Sequence, residues 1–158
     1  MILYHLSSTF RKSRVWDPMS PEQMETAPSE DKKVKRICAA TSIEGCILSL
    51  ITFILDIYPF DDIHNPKYPE ECKQVIRHNF RHPRFVVHEF NVDDSVVVAP
   101  SSEEVFDQKY TSEKWITSRA ESKVIGELVI TDLKVKEHYT KHGKFKRFSV
   151  KDIKYILQ

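Results

Sequence analysis

Thr41 and Ser42 stand where the small apolar run Arg36-Ile-Cys-Ala-Ala40 gives way to helically spaced apolar residues. Hydroxyls at such a strand-to-helix junction lie beside free backbone N–H groups, a common setting for phosphate or another anion. An ordinary capped core helix accounts for the same residues without a ligand. Two basic clusters offer a second kind of anion chemistry. Arg77-His-Asn-Phe-Arg-His-Pro-Arg84 gathers three arginines and two histidines around Phe80, and Lys141, Lys144, Lys146 and Arg147 form the other cluster. Either suits phosphate or a nucleic-acid strand, but both runs are as short as ordinary solvated turns, so a nucleic-acid partner is the weaker expectation. His78 and His82 have metal-compatible spacing on a helix, yet no third ligand is near them in sequence, and no metal is expected.

Composition narrows these options. The 158 residues fit one domain, 1–158, with enough chain to bury a core. Formal net charge is +1, with 30% charged and 41% hydrophobic residues, which argues against disorder and against a globally basic nucleic-acid binder. Only three glycines occur, too few for a glycine-rich phosphate loop of the dinucleotide or P-loop kind. Cys38, Cys46 and Cys72 show no Cys-x-x-Cys spacing and read as reduced thiols in a cytoplasmic protein. The most apolar run, Ile43 to Tyr58, contains Glu44, Gly45 and Asp56 and is shorter than the roughly 20 residues of a bilayer span, so no membrane partner is expected.

The elements that position the candidate residues follow from periodicity. Ile2 to Ser7 alternates as a strand, with Leu3, His5 and Ser7 on one face. Residues 11–35 carry prolines and mixed charge without a period and read as a lid loop, with Trp16 and Met19 to fold it back. Residues 36–40 suit a strand covered on both faces. Thr41-x-x-Glu44 has the form of a capping box, placing the helix start at Thr41 or Ser42, and Ile43, Cys46, Ile47, Leu50 and Ile54 then form a buried face. A Pro-rich connection covers 58–69, and one short helix is expected within 70–80. Strands are expected at 84–90, 95–99, 113–117 and 123–135, a short capped helix at 100–107, and a C-terminal helix capped by Ser149. The pattern is an α+β domain with a central buried helix, many strands and few helices, not a βαβ series.

Three blocks carry a resemblance. Leu3-Tyr-His-Leu-Ser7, Arg36-Ile-Cys through Ser42-Ile-Glu-Gly-Cys46, and Thr111-Ser-Glu-Lys-Trp115 followed by Val124-Ile-Gly-Glu127 look like the pattern of a group of small phage and bacterial proteins. Through that group the layout resembles the ADP-ribosyltransferase fold. The resemblance implies a split, strongly bent, mostly antiparallel sheet and NAD as cofactor. It implies His5 and Glu113 as catalytic residues, with Glu127 as the rival carboxylate. His5, Ser7, Thr41, Ser42 and Trp115 would contact NAD. A carboxylate beside the ribose 2′-hydroxyl would stabilise the oxocarbenium-like state as the N-glycosidic bond breaks, and the acceptor would be a host macromolecule. Thr111 stands where an acidic residue often precedes the catalytic Glu, which implies a second expectation: a non-catalytic inhibitor that binds a host defence protein or sequesters a nucleotide signal in the host cytoplasm.

Overall fold

The computed structural model describes residues 1–8, 14–21, 31–55, 58–59, 72–77, 83–105, 107–140, 143–148 and 150–158. Ile2–Ser8 forms β1, Val15–Trp16 forms β2 and Ile37–Ala40 forms β3; α1 then runs Ile43–Leu55. After Tyr58–Pro59 (β4) come Cys72–Arg77 (β5), Arg84–Asn91 (β6), Val97–Val98 (β7) and the short helix α2 at Gln108–Thr111. Glu113–Ile116 (β8), Ala120–Thr140 (β9), Gly143–Phe148 (β10) and Ile153–Leu157 (β11) complete the chain.

These strands join in one sheet of order β4-β10-β9-β6-β1-β3-β8-β7, with β2, β5 and β11 also paired to β9. Every described pairing is antiparallel except β10 with β4. The chain is a single α+β domain with a mostly antiparallel sheet and few helices. Among the described residues no helix is long and apolar enough to cross a membrane.

Two clusters make the core, one on each face of β1. Leu6, Ala40, Val87 and Leu128 pack with Cys46, Ile47 and Leu48 of α1. Leu3, Ile37, Ala39, Phe90 and Ile116 pack around Trp16 on the other face. The periodicity of 36–50 is therefore realised: Ile37, Ala39, Cys46 and Ile47 are buried, and Ile43 and Leu50 pack half-buried against them. The side chain of Ile54 lies outside the described residues.

The helix starts at Ile43 through Ser42, whose Oγ accepts from the Gly45 N–H at 3.1 Å, so Ser42 caps it and Thr41 stays exposed. Glu44 does not reach back to the cap; its Oε1 accepts instead from the Tyr155 hydroxyl at 2.6 Å, tying α1 to β11. Three further expectations are corrected. Cys72–Arg77 is a strand rather than a helix, because six residues make a poor isolated helix while Lys134 to Tyr139 of β9 offer a ready edge. The C-terminus is also a strand: in β11, half-buried Ile153 and Tyr155 alternate with exposed Lys154 and Ile156, the period of a sheet. Residues 102–104 form a turn and Val105 a bend, and the helix follows at α2.

The expected lid at 11–35 is in part sheet. Val15 and Trp16 pair with Glu121 and Ala120, Met19 and Arg36 exchange backbone hydrogen bonds at 3.1 and 3.0 Å, and Trp16 is buried. Residues 11–13 and 22–30 lie outside the described residues, as do His78, His82 and Lys141 of the metal and basic-cluster expectations.

Candidate functional site

β1 and β3 touch at one register position, Tyr4 opposite Ala40. Beside this narrow junction lies a partly open cavity of about 160 Å³. The sheet supplies His5, Leu6, Cys38, Ala39 and Ala40 to its wall, and α1 supplies Gly45, Cys46, Ser49 and Leu50. Thr111 and Glu113, which flank the turn from α2 into β8, close it. That turn is sharp: Ser112 has φ 52°, a left-handed conformation, and its N–H caps α2 on the Gln108 carbonyl at 2.8 Å. Gly45 lets the two helices meet here, since a Cβ at this position would sit 2.1 Å from the Thr111 carbonyl oxygen.

Glu113 is buried, and its Oε1 accepts the Trp115 indole N–H at 2.7 Å. The bond forms because residues two apart on a strand share a face. Trp115 is fully buried under Arg36, whose guanidinium lies 4.1 Å from the ring centroid. Arg36 Nη1 donates to the Asp31 and Val34 carbonyls at 3.0 and 3.2 Å and pairs with the Asp31 carboxylate at 3.4 Å. The Val34 N–H, with Lys33 and Arg36 beside it, holds Asp31 below its ordinary pKa. Asp107 is buried near Glu113; burial first, and then the Glu113 charge, push it up to about 6. Burial, with Glu113 adding to it, raises Cys38 to about 12, and burial raises Cys46 to about 12, so both wall thiols stay protonated. The Cys46 thiol donates to the Tyr4 carbonyl at 3.1 Å.

His5 is placed differently. Directly opposed residues of paired strands share a face, so the registers Tyr4–Ala40 and Ala40–Glu113 set Glu113 on the α1 side. His5, the next residue, points to the other side. There its ring lies 4.8 Å from Trp16 and 6.3 Å from His88, and Nδ1–H donates to the Cys38 carbonyl at 2.7 Å across the strand junction. Fully buried His88 has a serine hydroxyl at 2.9 Å from each ring nitrogen, Ser7 at Nε2 and Ser122 at Nδ1.

No family model, curated protein or solved structure matches this chain. The site therefore rests on its own geometry. Of the six expected residues, His5 and Glu113 line the cavity and the other four do not. Ser7 is engaged with His88, Thr41 is exposed, Ser42 caps α1, and the Trp115 ring is covered by Arg36 instead of offering a stacking face. Glu127 is away from the cavity, half-exposed and 3.8 Å from Arg84. Among the described residues no group of three or more His, Cys, Asp or Glu is arranged to hold a metal.

Sequence reasoning missed Arg36, Asp107 and Ser49. Gly45, a glycine inside a helical pattern, was the available signal for a close approach at this point. Nothing in the spacing of Arg36 or Asp107 signals that one covers Trp115 and the other lies near Glu113.

Proposed function

We propose that this chain is a non-catalytic binding protein that takes the ring end of a nucleotide into the cavity beside Glu113 and leaves the phosphates outside. The observation that carries this reading is the strand register that turns Glu113 and His5 to opposite sides of the sheet. Glycosidic transfer needs the carboxylate and its partner to converge on one ribose. Here the two residues meet only at the wall of a small cavity, and the Glu113 carboxylate is held by Trp115.

Size and charge support the same reading. An apolar cavity of roughly 150 Å³ accommodates one benzene ring, whereas drug-sized ligands occupy about 300–1,000 Å³. The volume here, about 160 Å³, suits a base or a nicotinamide ring and not a dinucleotide. Among the described residues no Lys or Arg lines the wall, so none of them would neutralise a phosphate there. Such a protein would act by sequestering its ligand.

The test is thermal melting with a panel of nucleosides and nucleotides, for the parent and for Ser49→Phe, which fills the cavity from α1. The reading predicts a concentration-dependent rise in Tm with at least one of them that Ser49→Phe removes. A rise that survives in a folded Ser49→Phe variant would place binding elsewhere and contradict it.

A further inference from the structure

We infer that the cavity selects a planar ring presenting adjacent N–H donors on one edge, the chemistry shared by an amidine and an aminated nucleobase. The inference rests on the binding reading above and adds the class of ligand. The wall is apolar at Leu6, Ala39, Ala40 and Leu50, and Glu113 is its strongest polar group. That carboxylate is buried, and among the described residues it forms no ion pair within 4 Å. Arg36, the nearby cation, lies against the Trp115 ring with its charge paired to Asp31.

A buried carboxylate is costly unless donors or a counter-charge meet it. Trp115 N–H meets one oxygen and fixes the group's orientation, and the protonated Cys38 thiol also hydrogen-bonds the carboxylate. An ionised carboxylate offers about four acceptor sites, so two donors leave room for more. Two neighbouring donors on a flat edge match a carboxylate better than any single donor. Asp107, close enough to Glu113 to feel its charge, adds negative charge as it ionises, which further disfavours an anion in this space. The two wall thiols are protonated and contribute no charge of their own.

Three probes of one shape and different charge test this: benzamidine, benzamide and benzoate, titrated calorimetrically into the full chain. The donor edge predicts benzamidine binding at least about tenfold more tightly than benzamide, the size of effect of one charge-assisted hydrogen bond, with benzoate weakest. Glu113→Gln should bring benzamidine and benzamide together; the parent comparison alone keeps the test decisive where that variant does not fold. Guanosine against inosine, which lacks the 2-amino group, separates the sources. Preference for guanosine assigns a nucleobase, and no binding of either beside tight benzamidine assigns a free amidine or guanidine compound. Three probes bound equally, with the heat lost in Ser49→Phe, would overturn the donor edge while leaving the cavity a ligand site. No binding by any probe or nucleoside would overturn both.

Discussion

The Trp115 indole N–H donates to Glu113 Oε1 at 2.7 Å, and both residues lie beneath the surface of the sheet. This bond fixes the carboxylate that closes the cavity, and it makes Trp115 a support for the site and not a platform in it. Replacing Trp115 by Phe leaves a buried acceptor with one donor fewer. The expected loss is about 1–3 kcal/mol from that term alone, measured by denaturant unfolding. An unchanged midpoint would show that the bond does not hold the site.

Gly45 carries the contact between α1 and α2. A methyl group there would lie 2.1 Å from the Thr111 carbonyl oxygen, a backbone atom that cannot swing aside. Gly45→Ala improves helix propensity in isolation, yet overpacking should win and destabilise the protein by about 1–3 kcal/mol. Equal or greater stability would mean that the helices separate without cost.

Asp107 gives stability a pH dependence of definite sign. Its carboxyl titrates near 6 in the folded chain against an ordinary 3.8, so between these values the folded state holds a proton that the unfolded state has lost. Its contribution therefore falls as pH rises from 3.8 to about 6 and is flat above. Asp107 makes no side-chain cap bond to α2, so Asp107→Asn should remove this fall without loss of a cap. Melting curves of parent and variant that run parallel across the interval would contradict the assignment.

Cys38 and Cys46 have pKa values raised to about 12, and the thiolate is the reactive form. At pH 8 both should be alkylated by iodoacetamide far more slowly in the folded chain than in denaturant, followed by mass spectrometry of their peptides. Rapid native labelling of either would show an open wall.

The sequence read well where information was local. The alternation in Leu3, His5 and Ser7 and the apolar spacing from Ile43 to Leu50 gave the strand, the helix and most of the core around them. Facing across the sheet was not legible, because alternation orders residues within one strand while the partner's register decides which side is shared. The resemblance pairs Glu113 and His5 on one NAD, whereas the Tyr4–Ala40–Glu113 register, which no single strand reveals, turns them to opposite sides. The same limit hid β5 and β11: each is a short segment whose partner residues in β9 are distant in sequence, with β10 intervening before β11. Trp16 read as lid material because nothing local signals its place between His5, His88 and Phe90.

Nicotinamide release from NAD tests the central claim most directly. With the purified chain and saturating NAD, followed by chromatography over hours, the account predicts release no faster than without protein, as expected of a site whose carboxylate and histidine face apart. Repeated turnover, abolished by Glu113→Gln in a folded protein, would contradict it and restore catalysis to this site.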